Sequence, residues 1–573
     1  MTGERSAGIS DGAMVAAIAA LAGLGGLLWV WGGVAGAVFG RGWPHVGTGQ
    51  LLGVAISLPG HLANPALAWP MRVRFLLPGP AGFYGGLGIL VAASAAVMIA
   101  ASRSGVGQTL HRREPGARWA AARELRALSS PLALGRATRS RQRDGSRIVL
   151  GRRNGRPLHA ERRHALVAFG PPQSGKSAGL AVPALLEWEG PAVASSIKTD
   201  LLAVTERRRK ALGEVLIFDP FGLSGAQTNT WSPLAGARTW DGALEVAWRL
   251  ACAGEVDQRG VDGGDFWAIA AEQRLAPLLF VAARADTGIE AVVRWAYGQG
   301  TRELNEYLAQ IAGEAADEQS LTDAHAAYDA VRAFEAQADR TRSSIEATAQ
   351  TLLRAYRFSR VARSAQSCEI TADRLLESAA TLYLVGDAKA SKLLRPIFLA
   401  LLSEIVDRAY ERATMAGGRL ELPLLLCLDE AGNVAPLPAL GEIASTAPSH
   451  NIQLISIFHD VAQARSRYGR QAETVINSHR ARMLLPGVAD LDTLRYFAGL
   501  VGEEEARDLT RTSGPGGTTR STAWRRRPLV AAESLRQLPD GHALLVYGRI
   551  PPTTLRLRMW FADRRLRGLA EPR

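Results

Sequence analysis

One eight-residue segment constrains the fold of this chain more than any other feature of its sequence. Residues 170–177 read Gly-Pro-Pro-Gln-Ser-Gly-Lys-Ser, between the apolar run 165–169 and the helical pattern 178–188. This is the phosphate-binding GxxxxGK[ST] pattern in the strand, loop and helix context that gives it its mechanism. The glycines let the backbone curl, so that amides converge on a phosphate at the N-terminus of a helix. The sequence therefore predicts a P-loop nucleotide site on an α/β fold.

Every residue of this loop is predicted to bind the nucleotide, namely Gly170, Pro171, Pro172, Gln173, Ser174, Gly175, Lys176 and Ser177. The Lys176 ammonium is expected to be catalytic, by neutralising charge on the β- and γ-phosphates of ATP, and the Ser177 hydroxyl to coordinate Mg²⁺. Only five of the 67 basic residues are lysines, and one of them stands where the pattern requires a lysine. Chance is therefore a poor explanation for the match.

An acidic pair supplies the second half of the predicted site. The run 422–428 is mostly apolar, as expected of a strand that is buried on both faces, and it ends in Asp429 and Glu430. Asp429 is predicted to hold the hydrated Mg²⁺, and Glu430 to polarise the water that attacks the γ-phosphate. Acidic pairs also follow strands by chance, so this assignment depends on the P-loop. Together the two motifs indicate ATP hydrolysis and not nucleotide binding alone.

Apolar runs alternate with amphipathic stretches around these motifs, which is typical of a mostly parallel sheet wrapped by helices. Strands are expected at 192–197, 215–218, 381–385, 424–428, 453–458, 482–485 and 543–547. Strand patterns disappear between 240 and 378, where Ala, Glu, Arg and Leu dominate. We expect an α/β, RecA-like P-loop ATPase domain in two parts, 164–239 and 379–573, with an inserted all-α domain at 240–378.

Two uncharged runs precede the ATPase domain, at 12–40 and 75–102. Since about 20 apolar residues cross a bilayer, residues 1–102 are predicted to form a transmembrane anchor with helices at about 13–39 and 76–101. Arginines directly after the second run favour a cytoplasmic position for the bulk of the chain. The sequence thus predicts a multi-pass protein of the inner membrane.

Three further segments each allow two interpretations. The basic segment 103–163 carries sixteen arginines against four acidic residues, and is interpreted as a membrane-proximal linker attracted to anionic lipid, with a DNA-contacting collar as the alternative. The segment 51–69 is apolar but interrupted by Pro59 and Pro65, which favours a loop or interfacial segment over a third span. The arginine-rich segment 511–527 is expected to be a flexible surface loop, with contact to single-stranded DNA as the alternative.

Cysteine and histidine usage excludes several classes of site. The three cysteines, Cys252, Cys368 and Cys427, are widely separated, and the histidines show no paired ligand spacing. This pattern argues against a disulfide framework and against any metal other than Mg²⁺. The chain is 47% hydrophobic and 21% charged, which is too apolar for a disordered protein.

The order of the motifs resembles that of the type IV secretion coupling proteins, the TraG/TraD-like membrane ATPases of conjugation. Besides the P-loop and the acidic strand, the similar segments are Gly-Ala-Arg-Trp-Ala at 116–120 with Glu-Leu at 124–125, Ser-Ile-Lys-Thr-Asp at 196–200, Phe-Asp-Pro at 218–220, Trp-Ser-Pro-Leu at 231–234, Arg-Ser-Ser-Ile at 342–345, and Tyr-Gly at 468–469 with Asn477. The resemblance spans nearly the whole chain, and the order of the segments makes it specific.

This resemblance implies particular roles and partners. Lys176 and Ser177 correspond to the phosphate and Mg²⁺ residues of the family, and Asp429 and Glu430 to its acidic pair. The insertion at 240–378 is implied to face the substrate and the relaxosome. Subunits are implied to form a homo-hexamer around a channel. Single-stranded DNA, a relaxase, components of the type IV secretion channel and membrane lipid are the implied partners.

Two departures from the family pattern concern the catalytic machinery. His459 stands where the family often has a sensor glutamine, whereas Gln463 is retained, and both are taken as catalytic candidates. Where some members carry a trans-acting arginine, residues 448–451 read Pro-Ser-His-Asn. That arginine therefore has no counterpart at this position.

The predicted function is an inner-membrane coupling ATPase. It hydrolyses ATP to recruit a relaxase–DNA complex, or a protein substrate, and to drive it into a type IV secretion channel. Two alternatives remain: a double-stranded DNA translocase, and a membrane-anchored docking platform that turns ATP over negligibly.

Overall fold

The computed structural model of the protein describes residues 11–104, 116–129, 147–255, 264–514 and 517–571. The chain divides into two compact units, Met1–Pro115 and Gly116–Arg573. Much of the predicted basic linker falls on 105–115 and 130–146, which lie outside the described residues.

The N-terminal unit contains three α-helices in its described part: α1 (Asp11–Phe39), α2 (Thr48–Ser57) and α3 (Pro80–Ser104). α1 and α3 approach closely because Gly86 has no side chain, and a Cβ there would lie 2.8 Å from Ala35 Cα. Across the same contact, the Trp31 indole donates a 2.9 Å hydrogen bond to the Phe83 carbonyl. The segment 51–69, expected to be a loop or interfacial segment, is largely helical.

Among the described residues, no helix has the length and apolar character that a membrane crossing requires. This finding overturns the predicted multi-pass location in the inner membrane, which is wrong. The two-helix transmembrane anchor predicted at 1–102, with helices at about 13–39 and 76–101, is not shown.

The strands described in the unit Gly116–Arg573 are β1 (Val149–Arg153), β2 (Arg156–His159), β3 (Leu166–Phe169), β4 (Ala192–Ser196), β5 (Val215–Phe218), β6 (Thr381–Val385), β7 (Leu424–Leu428), β8 (Ile452–Phe458), β9 (Ala481–Leu484), β10 (Glu503–Gly514), β11 (Gly517–Pro528), β12 (His542–Tyr547) and β13 (Ile550–Arg556). Eleven of them form one sheet in the order β2-β1-β13-β12-β9-β3-β8-β7-β4-β6-β5. From β9 to β5 the strands run parallel, and the other four extend the sheet antiparallel. The predicted α/β class with a mostly parallel sheet is confirmed.

The parallel strands are apolar along their length because they are covered on both faces. β3 shows this clearly, since all four of its residues are buried. Val167 and Phe169 belong to one hydrophobic cluster, whereas Leu166 and Ala168 belong to another. This alternation is what the two-residue period of a strand requires, and it fixes the P-loop at the end of a fully buried strand.

The α-helices of this unit cover the sheet and fill the long connection between β5 and β6. They are α4 (Val182–Glu187), α5 (Asp200–Lys210), α6 (Trp240–Glu255), α7 (Gly264–Arg284), α8 (Ile289–Ala296), α9 (Thr301–Gly313), α10 (Glu318–Glu335), α11 (Asp339–Leu353), α12 (Ser359–Arg363), α13 (Ala372–Leu376), α14 (Ala388–Met415), α15 (Leu440–Thr446), α16 (Val461–Tyr468), α17 (Ala472–Ser478), α18 (Leu491–Val501), α19 (Ala532–Arg536) and α20 (Arg564–Ala570). From α6 to α13 the described residues contain no strand.

β10 and β11 form a separate two-stranded hairpin. They pair antiparallel from Glu503 opposite Pro528 to Gly514 opposite Gly517. The segment 511–527, expected to be a flexible loop, therefore consists mostly of paired strand.

Candidate active site

The P-loop leaves the carboxyl end of β3, between the neighbouring strands β8 and β9. It leads into a π-helical turn, Ser177–Ala181, that continues as α4. Gly175 has a φ of +87°, which side-chain-bearing residues rarely adopt, and a Cβ there would clash with Met559. A Cβ on Gly170 would clash with the Ser174 hydroxyl. The backbone path of the loop therefore requires both glycines of the motif.

Two side-chain pairs join the P-loop to the acidic strand end. The Ser177 hydroxyl donates to Asp429 Oδ2 at 2.5 Å, and Lys176 Nζ forms a buried ion pair with Glu430 Oε1. The residues of these two pairs are 252 and 254 positions apart in the sequence. They meet because β3, β8 and β7 are consecutive parallel strands, whose carboxyl ends share one edge of the sheet. The structure thus brings together the two motifs that the sequence singles out.

Asp429 is a buried carboxyl group with one oxygen still available. Burial raises its pKa to about 6, although the hydrogen bond from Ser177 and the charge of Lys176 oppose this shift. Within the described residues, Asp429 Oδ1 is buried and has no hydrogen-bond partner. A carboxylate oxygen beside a serine hydroxyl is the hard donor set that Mg²⁺ prefers. These two residues therefore fit a divalent cation next to the P-loop.

Glu430 is held as a carboxylate between two donors. Burial alone would raise its pKa, but hydrogen bonds from His459 and Lys176 outweigh burial and lower the pKa to about 2. His459 Nε2 lies 2.8 Å from Glu430 Oε2, and Nδ1 of the same ring lies 3.2 Å from Lys176 Nζ. Because an ammonium only donates, Nδ1 accepts, and Nε2 carries the proton that is donated to Glu430.

Asn433 and Gln463 complete this arrangement. Asn433 donates from Nδ2 to Glu430 Oε2 at 2.9 Å. Sequence reasoning missed this residue, whose only sequence signal was an amide side chain three residues after the acidic pair. The Gln463 side chain contacts His459: its Oε1 accepts a hydrogen bond of 2.8 Å from the His459 backbone N–H. The Asp460 side chain caps α16, because its Oδ1 accepts a hydrogen bond from the backbone N–H of Gln463. Gln463 is thus placed to position His459.

The outer half of the loop faces an opening. A shallow cavity of about 540 Å³ lies beside the loop, and its lining includes Pro171, Pro172, His459 and Gln463. Gln173 is exposed, whereas Ser174 and Lys176 are buried. The volume lies within the range of small-molecule sites. The predicted binding residues therefore extend from Gln173, which is exposed to solvent, to Lys176 and Ser177 beside the buried Asp429 and Glu430.

The floor of the P-loop comes from the segment that follows β13. Leu557 and Met559 lie directly beneath Gly175 and Gly179, and the Trp560 amide donates to the Ala178 carbonyl at 3.0 Å. No sequence pattern marked these residues, because their role depends on the packing of the segment after β13 against the P-loop turn.

Comparison with known proteins places this chain in a family. Residues 118–571 match the family model described as Type IV secretory system Conjugative DNA transfer. Conjugal transfer protein TraG of Escherichia coli is 26% identical over 407 residues, which cover 66% of this chain and 62% of TraG. Protein VirD4 of Rhizobium radiobacter is 22% identical over 423 residues, which cover 72% and 59% of the two chains. The chain thus spans about three fifths of the length of these relatives.

Solved structures show the same fold. The bacterial conjugative coupling protein TrwBdeltaN70, in its unbound monoclinic form, superposes with a TM-score of 0.54 at 19% identity, covering 71% of this chain and 88% of that chain. TrwB in complex with the ATP analogue ADPNP gives a TM-score of 0.54 at 18% identity, covering 78% and 95%. The family model spans most of the chain, from just before β1 to α20. The chain therefore belongs to the type IV secretory system conjugative DNA transfer family.

Proposed function

We propose that this protein is a coupling ATPase of conjugative DNA transfer. It binds ATP with Mg²⁺ and hydrolyses it to drive a relaxase–DNA complex, or a protein substrate, into a type IV secretion channel. The observation that carries this proposal is the convergence of Lys176 and Ser177 on Asp429 and Glu430 in one buried site. Further support comes from TrwB, whose structures include complexes with ADPNP and with ADP and Mg²⁺.

The residues of the site divide into phosphate, metal and water groups. The backbone of 170–177 and the Lys176 ammonium hold the phosphates. Ser177 and Asp429 would hold Mg²⁺, and Asp429 Oδ1, which has no hydrogen-bond partner among the described residues, would be available to coordinate it. Bound Mg²⁺ supplies a Lewis acid that neutralises charge on the β- and γ-phosphates.

Lys176 and Glu430, which are paired with each other in the structure, must take new partners when ATP binds. In the structure the Lys176 ammonium is engaged by Glu430 and His459, so it must leave them to reach a phosphate. Glu430 then keeps the donors His459 and Asn433 on Oε2, and its Oε1 becomes free to accept a hydrogen bond from water. A carboxylate with a lowered pKa is a weak base, so Glu430 orients and polarises the water.

We further propose that subunits assemble as a homo-hexamer around a channel for single-stranded DNA. Closed rings are the common solution for head-to-tail contacts between identical chains. In such a ring the helices α6 to α13 form the part that meets the relaxosome.

The nucleotide site is tested by two substitutions in the full chain. Lys176→Ala is expected to lose ATP binding and hydrolysis, because the loop then has no ammonium for the phosphates. Glu430→Gln is expected to keep ATP binding and to lose hydrolysis by about 100-fold or more. Binding is measured with a fluorescent ATP analogue and hydrolysis by phosphate release. Lys210→Ala, at an exposed lysine paired with Glu206, is the matched control and should change neither.

Different outcomes separate the competing functions. Wild-type hydrolysis by Lys176→Ala would contradict the assigned site. Plasmid transfer between cells at the normal rate by Glu430→Gln would favour a docking platform with negligible turnover. Movement along duplex DNA without a relaxase would favour a double-stranded DNA translocase.

A further inference from the structure

A larger cavity opens at the carboxyl edge of the sheet, away from the P-loop, with a volume of about 1100 Å³. The end of the helical insertion, from Ala347 to Phe358, forms one wall, and the segment from Asp387 to Pro396 after β6 forms another. Open α/β sheets bind ligands outside the carboxyl ends of their strands. The volume exceeds the upper end of the usual range for small-molecule sites, about 1000 Å³. The cavity therefore has room for a segment of a polymer as well as for a small molecule.

The lining of this cavity is strongly cationic. Its basic residues are Arg354, Arg360, Lys389, Lys392 and Arg395. The one carboxylate in the lining, Asp387, is already engaged, because its Oδ1 caps α14 by accepting from the amides of Lys389 and Ala390. Two of the five lysines of the chain are in this set. The occupant that complements this charge is a polyanion.

Three of these cations are available to a ligand. Arg354, Lys389 and Lys392 are exposed, and within the described part of the chain none of them forms an ion pair. Two exposed arginines elsewhere on the insertion are neutralised: Arg302 pairs with Glu306 and Arg332 with Glu335. The cavity brings to one place three cations that have no ion-pair partner among the described residues.

Two aromatic rings stand beside these cations. Phe221 and Phe358 both line the cavity, with ring centroids 5.7 Å apart in an edge-to-face arrangement. Phe358 is 49% exposed, so one face of its ring is open to a partner. Cations that follow a backbone, together with open aromatic faces, are what proteins use to bind single-stranded nucleic acid. An acidic polypeptide would use the cations but not the ring.

We infer that this cavity binds a segment of single-stranded DNA, with phosphates on Arg354, Lys389 and Lys392 and a base stacked on Phe358. The inference rests on the proposed function, since it assigns the place where the transferred strand meets the ATPase. A short route joins the two sites: β6 ends in the cavity wall, β4 lies beside β6, and β7 beside β4 ends in Asp429.

The charge contribution is tested by the salt dependence of DNA binding. Fluorescence anisotropy measures the affinity of the full chain for labelled oligothymidylate at several salt concentrations. The double variant Arg354→Ala, Lys392→Ala is expected to reduce the slope of log affinity against log salt by about 1.4, because each phosphate contact on a single strand contributes about 0.7. Lys389→Ala alone should reduce it by about 0.7. Arg340→Ala is the matched control, an exposed arginine on α11 that does not line the cavity.

The stacking contribution is tested separately at Phe358. Phe358→Ala is expected to weaken oligothymidylate binding about 5- to 150-fold with the salt slope unchanged, since stacking is not ionic. Phe358→Tyr keeps the ring and should bind as the wild type does. Thermal unfolding and ATP binding of the arginine and lysine variants should match the wild type, because these side chains lie on the surface. Phe358→Ala loses its packing on Phe221, so its unfolding temperature should fall slightly while ATP binding stays unchanged.

Wild-type affinity and slope in the double variant and in Lys389→Ala would overturn the inference. So would binding of polyglutamate that is lost in the double variant while oligothymidylate binding is unchanged in all variants, because the occupant would then be an acidic polypeptide. A wild-type protein that hydrolyses no ATP but shows the expected binding differences would contradict the proposed function and leave the inference standing.

Discussion

At the level of single residues, His459 connects the two halves of the nucleotide site. Its ring accepts from Lys176 on one side and donates to Glu430 on the other. Gln463 fixes the backbone that carries this ring. The family often has glutamine at this position, and an amide offers Glu430 the same kind of donor. His459 is therefore best described as a positioning residue for Glu430.

Substitution of His459 should separate catalysis from binding. His459→Ala is expected to lower kcat about 10- to 100-fold, because Glu430 loses a donor that orients it. The KM for ATP should change little, since the P-loop is intact. His459→Gln should restore much of kcat through its side-chain amide. Steady-state ATP hydrolysis measures both constants. An increase in KM with unchanged kcat would show instead that His459 serves nucleotide binding.

His479 predicts how stability depends on pH. Its ring is buried, with Nδ1 donating to the Val475 carbonyl at 2.7 Å and Nε2 accepting from the Ser456 hydroxyl at 3.0 Å. Burial lowers its pKa to about 4, below the value of about 6.5 in an unfolded chain. Between these values the unfolded state binds more protons, so stability is lost as pH falls through this window, by up to about 3 kcal/mol.

Denaturant unfolding across that pH range measures the effect. His479→Asn still offers a donor for the Val475 carbonyl but does not titrate, so the loss between about pH 6.5 and about pH 4 should shrink by about 3 kcal/mol. Parallel pH profiles for wild type and variant would contradict this assignment of the protonating group.

At the level of elements, the segment after β13 is fastened to α4 by a buried charge cluster. Arg558 Nη1 lies 2.7 Å from Glu187 Oε2, and Arg558 Nε lies 2.9 Å from Asp563 Oδ2. The next residue, Met559, supports the P-loop from below. The fastening therefore connects the stability of this segment to the shape of the nucleotide site.

Arg558→Ala should lower the free energy of unfolding by about 1.5 to 3 kcal/mol, because it removes the buried donor to Glu187 and Asp563. Arg152, 3.0 Å from Asp563, and Arg565, 3.6 Å from Glu187, remain as partial compensation. ATP affinity should fall as well, since Met559 loses its neighbour. Denaturant unfolding and nucleotide titration measure the two effects. The control is Arg302→Ala, which removes an exposed pair with Glu306 and should cost about 0.5 kcal/mol or less. An equal loss of unfolding free energy in the two variants would show that the buried ion pairs stabilise the fold no more than the exposed pair does.

The sequence predicted the elements whose residues are uniformly buried. β4 to β9 appear as apolar runs, and the structure places them within about one residue of the expected ranges. β13 was missed because Pro551 and Pro552 lie within it, and prolines are rare inside strands. β1 was missed because Arg152 and Arg153 interrupt its apolar pattern.

The same distinction holds within the site. Lys176, Ser177, Asp429 and Glu430 were predictable because each follows a buried strand in a local motif. The role of Met559 was not, since it depends on a strand pairing that no local pattern reveals. The membrane prediction failed for a different reason, because a run of uncharged residues does not by itself establish a helix apolar enough to cross a bilayer.

At the level of the whole molecule, the unit Gly116–Arg573 contains the P-loop, the acidic pair and the floor beneath them. An ATP analogue at 100 times its Kd should therefore stabilise this unit by about 2.7 kcal/mol. A fragment of residues 116–573 and the full chain should show the same shift in thermal unfolding, and Lys176→Ala should show none. A shift in the full chain that is absent from the fragment would mean that residues before 116 contribute to the site.

The support of Gly175 by Leu557 and Met559 has a consequence during synthesis. The ribosome releases the P-loop long before it releases the segment on which that loop rests. A nascent chain therefore carries a P-loop without its supporting residues, and a product truncated before residue 557 would lack the contacts of Leu557 and Met559 with Gly175 and Gly179.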